Sequence, residues 1–210
     1  MFVKSVMIPK EKCLTVNGNA SLMEALQQLD QKEIDALPII ENGMYKGMFN
    51  KYLLYKAYFY SEVDREIFLN QTTVMDVVVR EDIFVNIDDV FESALVKLYD
   101  FPIIAVLDEG KFLGIVTRYD TITQFRSAFG MNSKGTRITF TSVESEGRIL
   151  KVSDILHKYH TPVISLVTFD ETDKLARRIV LKIDNDEKLD KIIADFEKSG
   201  FRVLHISKDS

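Results

Sequence analysis

The chain has one cysteine in 210 residues. Cys13 alone excludes an internal disulfide framework and a cysteine-rich metal site, the usage of a protein kept in a reducing compartment, and a cytoplasmic location is expected. Long apolar runs are missing too. The opening MFVKSVMIPKEK holds no secretory apolar stretch, and no later run approaches the ~20 residues that span a bilayer. Neither a signal peptide nor a membrane anchor is expected. Positive charge is also short, with 27 Lys and Arg against 32 Asp and Glu. The resulting net charge of −5 supplies no basic field for a nucleic acid or an anionic membrane surface, so neither is expected as a partner. The three histidines, His157, His160 and His205, have no carboxylates at a ligand spacing, and no metal site is expected. A nucleophile with its base, a phosphate-binding glycine loop and a dinucleotide fingerprint are all absent. The expectation is a protein that is not an enzyme and needs no catalytic cofactor.

What is present is a repeat with a spacing of a little under seventy residues. Val6-Met7, CLTVNGNASLMEALQQL and IDALPIIENGMYKGMFNKYLL are followed, in the same order, by Val74-Met75, IFVNIDDVFESALVKL and DFPIIAVLDEGKFLGIVTRYD. Ala25-Leu26 matches Ala94-Leu95, Pro38-Ile39-Ile40 matches Pro102-Ile103-Ile104, and Gly43 and Gly47 match Gly110 and Gly114. Leu22, Leu26 and Leu29 take a helical step after a cap at Ser21 or Asn19, and Val90, Ala94 and Leu98 repeat it. ENG and DEG each separate two β-branched runs and predict a hairpin. A helix follows each hairpin, the first rich in aromatics (Tyr52, Tyr55, Tyr58, Phe59, Tyr60) that serve a core or a dimer surface, the second around Ile122 to Phe129.

Strand, helix, strand, strand, helix, twice over, with DALPII in the first copy and GIVTRYD in the second, resembles a tandem pair of CBS domains over about residues 1 to 130. The resemblance implies a pseudo-twofold pair, repeat one 1–68 and repeat two 69–130, with two clefts that commonly take adenosine-containing ligands. It implies a non-catalytic regulatory sensor in signal transduction, with a homodimer and an unidentified protein partner.

A ribose presents two vicinal hydroxyls to one carboxylate, and Asp120 stands at a helix start where such a carboxylate is useful. Thr117 ends the preceding strand and has two readings: half of a capping pair with Asp120, or a group that reaches a phosphate at the helix N-terminus. Arg118 adds a guanidinium, and Gly114 lets the strand pack closely. By the resemblance, this motif faces an adenine pocket in the other repeat, at Lys12, Cys13 and Leu14 and at Ile34, Asp35 and Ala36. Leu14 and Ile34 would cover the faces of the base, and Lys12 would meet a phosphate. The second cleft pairs Ile83, Val85, Tyr99 and Phe101 with GMFNKYLL, where Asn50 replaces Thr117 and Leu53 replaces Asp120, so one competent site per chain is expected. Small proteins of this kind include bacterial cyclic di-AMP receptors, and the cations Lys12 and Arg118 rank cyclic di-AMP ahead of AMP or ATP.

Turn formers in FGMNSKG predict a linker at 131–135. Residues 136–210 then read βαββαβ, with strands at Arg137–Val143, Val163–Phe169, Ala176–Ile183 and Arg202–Ile206 and helices at Leu150–Tyr159 and Glu187–Ser199. Leu189, Ile192, Ile193 and Phe196 form the buried stripe of the last helix, and Gly200 ends it. The overall expectation is an α/β (α+β) chain, a CBS pair followed by a ferredoxin-like unit. That second unit resembles an ACT domain, which implies a pairing surface or an amino-acid effector site near Gly147 in the turn SVESEGR.

Overall fold

The computed structural model describes residues 3–77, 80–143, 146–170, 176–185 and 187–209. Ser21 accepts a hydrogen bond from the Glu24 N–H at 3.1 Å and starts α1 (Leu22–Gln31), whose buried face is Leu22, Ala25, Leu26 and Leu29. A short strand β1 (Ile8–Pro9) precedes it, and the hairpin β2 (Ala36–Glu41) and β3 (Met44–Asn50) follows. The second copy runs β4 (Phe84–Asn86), a helix over Phe91–Leu98, and the hairpin over Ile103–Asp108 and Lys111–Thr117. Both hairpins turn through two left-handed residues, Asn42-Gly43 and Glu109-Gly110, the geometry that matches the twist of the flanking strands. Each is followed by a helix. With α2 (Lys51–Phe59) and α3 (Arg65–Gln71) after the first hairpin, the helix at Phe91–Leu98 is α4, the hairpin strands are β5 and β6, and α5 is Arg118–Ala128.

Three local features differ from the periodicity. The buried face of α4 is Phe91, Ala94 and Leu98. Val90 is the cap, in extended conformation and 54% exposed, because the turn closed by the Asp89 carboxylate on the Asn86 N–H at 2.8 Å holds it outside the helical step. The strand expected before α1 shrinks to one bridge, Val16 to Ile39, since an Asx turn at Asn17, whose side chain accepts from the Asn19 N–H at 3.0 Å, ends it. The helix α3 lies where the repeat predicts none. Asp64 caps it by accepting from the Glu66 N–H at 2.8 Å, and it buries Phe68 and Leu69.

The chain divides into two units, Met1–Ile122 and Thr123–Ser210. In the first, one sheet runs β2-β3-β6-β5-β4 with β1 paired to β6. Two cores flank it and exchange their opening segments. Val3 is buried among the second-repeat residues Ile83, Phe91 and Ile104, while Leu69, Val74 and Val77 are buried with Leu22, Leu26 and Ile39 of the first. The backbone makes the same exchange, Val3 N–H donating to Asp89 C=O at 3.2 Å and Val74 N–H to Ala20 C=O at 2.9 Å.

Antiparallel pairing sets Ile8 against Ile115 and Pro9 against Gly114. A Cβ at Gly114 would lie 2.1 Å from the Ile8 carbonyl oxygen, so this crossing admits only glycine.

The second unit has strands β7 (Thr136–Val143), β8 (Val163–Asp170), β9 (Ala176–Ile183) and β10 (Arg202–Lys208) and helices α6 (Arg148–Tyr159) and α7 (Leu189–Lys198). Its antiparallel order β10-β7-β9-β8 is that of a ferredoxin-like βαββαβ unit. Ile138, Phe140, Ile179, Leu181 and Ile183 pack against Val152, Ile192 and Phe196 of the helices. Gly200, at φ 83, follows α7 as the left-handed residue that a helix C-terminus favours. The division at Ile122 falls before the expected linker, and Phe129 and Gly130 already pack on the second unit's sheet: Phe129 stacks on Phe169 at 6.0 Å, and the Gly130 carbonyl accepts from Lys182 at 2.9 Å.

Gly114→Ala forces β1 off β6 and is expected to cost about 1–3 kcal/mol, as overpacking does. Urea unfolding of the variant measures this, and an unchanged midpoint would contradict the crossing.

Candidate functional site

The crossing at Gly114 carries the chain from β1 into a 3-10 turn, Lys10–Lys12, and lays the next residues beside β6. There a cleft of about 410 Å³ opens, lined by Lys12, Cys13, Leu14, Ile34, Asp35, Ala36 and Thr117 together with Ile8, Glu33, Pro102, Ile103 and Ile115. The walls are mixed. Leu14 is 42% exposed, an apolar side chain turned outward; Ile34 is half-buried and Ala36 buried. The ammonium of Lys12 has no hydrogen-bond or ion-pair partner among the described residues.

Thr117 and Asp120 form a reciprocal cap at the start of α5. Thr117 Oγ1 and its N–H both donate to Asp120 Oδ2, at 2.6 and 3.2 Å, and the Asp120 N–H donates back to Thr117 Oγ1 at 3.0 Å. Both bonds that reach the carboxylate use one oxygen, Oδ2. Asp120 Oδ1 has no protein partner among the described residues, so the capping geometry leaves an acceptor beside the cleft.

Arg118 points elsewhere. Its Nε donates to the Leu98 carbonyl at 3.0 Å and Nη2 to the Tyr99 carbonyl at 3.3 Å. Those carbonyls end α4, where a cation satisfies orphan acceptors and complements the helix dipole. Arg118 and Asp120 do not line the cleft, although Asp120 is bonded to a residue that does.

Cys13 is half-buried, and its thiol donates to the Ile8 and Pro9 carbonyls at 3.4 and 3.3 Å. Burial pushes the thiol pKa up, which disfavours the nucleophilic thiolate; Cys13 is a wall of the cleft.

Sequence reasoning missed Ile8, Glu33, Pro102 and Ile103. Pro102-Ile103 was marked by its match to Pro38-Ile39. Ile8 carries no motif, and only its pairing with Ile115 brings it in.

In the counterpart region of the other cleft, Ile83, Val85 and Phe101 are buried while Tyr99 is 86% exposed. Tyr45 donates to the Arg80 and Ile83 carbonyls at 3.1 and 3.0 Å, and Arg80 lies over the Phe101 ring at 5.7 Å while bound to Asp82. Asn50 only caps α2, accepting from the Leu53 N–H at 2.8 Å, and Leu53 packs against the core.

In the second unit, Gly147 sits at φ 79 before α6, with no atom within 4 Å of where its Cβ would be. Its glycine requirement is conformational. Glu144 and Ser145 of the same turn lie outside the described residues. His157 and His160 have ring centroids 6.0 Å apart, and no cluster of metal-ligating side chains occurs among the described residues. No helix among them is long and apolar enough to cross a membrane.

Two repeats of one module, each lending its opening segment to the other around a cleft, define a tandem-repeat pair. Residues 3–59 and 74–126 match the CBS domain family, more than half of the chain, and the protein belongs to it. No curated protein matches the chain. Among solved structures, a CBS domain-containing protein of unknown function from Bacillus anthracis is 26% identical with a TM-score of 0.54, over 60% of this chain and 93% of that one. CBSX2 in complex with AMP is 26% identical with a TM-score of 0.50, over 59% and 95%. CbpB in complex with c-di-AMP, at 18% identity and a TM-score of 0.53 over 60% and 85%, is similar in fold.

The raised thiol makes a chemical prediction. At pH 7.5 Cys13 is expected to react with Ellman's reagent at least tenfold more slowly than free cysteine, measured by absorbance. Labelling at the free-cysteine rate would contradict the buried wall.

Proposed function

We propose that the chain is a non-catalytic regulator that binds one adenine nucleotide between its two repeats and passes the occupied state to a protein partner. The observation that carries this reading is the cleft of about 410 Å³ in which Lys12, Leu14 and Ile34 meet Ile115 and Thr117. Its volume lies within the range of small-molecule sites. Leu14, Ile34 and Ile115 suit the faces of a purine, the unpartnered oxygen of Asp120 suits a ribose hydroxyl, and Lys12 suits a phosphate. The AMP held by CBSX2 supports the same class of ligand.

AMP now ranks ahead of cyclic di-AMP. The preference for the dinucleotide rested on two cations, and Arg118 is committed to the end of α4. Regulation needs a state that the ligand binds better than another, and a homodimer supplies one. The exposed Tyr52, Tyr55 and Phe59 of α2, with Tyr60 just after it, favour pairing. The amino-acid reading of the second unit has in its favour only the cleft of about 180 Å³ beside Gly147.

Titration calorimetry with AMP, ATP and cyclic di-AMP tests the proposal. We expect one site per chain, a loss of at least tenfold with Asp120→Ala or Lys12→Ala, and a smaller loss with Arg118→Ala. Stabilisation of about 2.7 kcal/mol is expected at a hundred times the dissociation constant. Absence of binding by all three compounds would leave a ligand-free pairing module in its place.

A further inference from the structure

The helix-free face of the second unit gathers positive charge. Alternation along β7 and β9 sends Ile138, Phe140, Leu181 and Ile183 into the core with the helices and puts Arg137 and Lys182 on the opposite face. The two are direct cross-strand partners, and like charges so placed oppose pairing. Lys182 is 5% exposed, a burial that requires compensation. It obtains two partners, the Gly130 carbonyl at 2.9 Å and the Asp209 carboxylate. That ion pair holds the Asp209 carboxyl below the usual carboxylate range.

The compensation is incomplete. The one carboxylate is engaged by Lys182 alone of the two strand cations, and Lys134 stands beside it. Arg137, half-buried, has no hydrogen-bond or ion-pair partner among the described residues, and neither does the third N–H of Lys182. Lys134, Arg137, Lys182 and Asp209 line one cleft of about 490 Å³ with Asn132 and Ser133. The wall is built rather than incidental: Gly130, at φ 66, lies so close that a Cβ there would meet Ile164 at 2.7 Å and Lys182 Cδ at 3.3 Å.

We propose that this cleft is a second ligand site, for a compact oxyanion of the phosphate or dicarboxylate type, with Arg137 and Lys182 as its cations and Asp209 as a built-in counter-ion that the ligand displaces. A guanidinium fork beside an ammonium suits an anion with several oxygens. The site lies wholly within the second unit, so its success or failure is independent of nucleotide binding between the repeats.

Heteronuclear NMR titration of the 210-residue chain at low ionic strength, with inorganic phosphate and with malonate as probes and sodium chloride as control, tests it. We expect at least one probe to shift the Gly130 and Lys182 amides saturably, with a phosphate or a dicarboxylate ligand distinguished by which probe binds tighter. Arg137→Gln is expected to weaken that binding at least fivefold, and Asp209→Asn to strengthen it at least threefold. A purely structural clasp predicts the reverse for Asp209, since loosening the tail would spoil the site. Unsaturable shifts with both probes, an unchanged affinity in Arg137→Gln, or weaker binding in Asp209→Asn would each overturn the proposal.

Discussion

The contact between the Gly114 backbone and the Ile8 carbonyl governs the first unit. A side chain at Gly114 has no room, so β1 lies flat on β6, and only then do Lys12 to Leu14 reach the flank of Thr117. The cleft's two walls are therefore set by one close approach between segments more than a hundred residues apart. The exchange of Val3 and Val74 between cores has the same effect on the rest of the pair. Neither repeat completes its own core, and the geometry of the cleft is tied to the stability of both.

Much of this was legible in the sequence because repetition carries long-range information. The alignment of Pro38-Ile39-Ile40 with Pro102-Ile103-Ile104 set the hairpins, the glycines set their turns, and the family resemblance put Lys12, Ile34 and Thr117 in one place. What stayed hidden depends on side-chain direction. Nothing in GIVTRYD distinguishes an arginine that faces a phosphate from one that satisfies the carbonyls of Leu98 and Tyr99. Val90 and Phe91 are adjacent apolar residues, and the choice between them rests on where the Asp89 turn ends. Residues 131–135 have the composition of a linker, yet Gly130 and Phe129 just before them are anchored by packing on β8 and β9.

The two clefts illustrate different uses of burial. Between the repeats, apolar walls stand beside the charged groups Lys12, Glu33 and Asp35, and neither the Lys12 ammonium nor one oxygen of the nearby Asp120 has a partner among the described residues. On the second unit's open face the polar groups dominate, and a buried lysine is tolerated because a carboxylate and a backbone carbonyl meet it. Cys13 and Arg118, both conspicuous in a motif scan, turn out to hold structure, one through thiol donation to backbone carbonyls and the other at a helix end.

The crossing at Gly114 also sets an order of events during synthesis. Ile8 leaves the ribosome early but has no partner until Ile115 follows, and contacts of such sequence separation form slowly. The cleft therefore comes into being only when the last strand of the pair has docked. Anything that recognises the cleft thereby recognises a first unit whose strands have all docked.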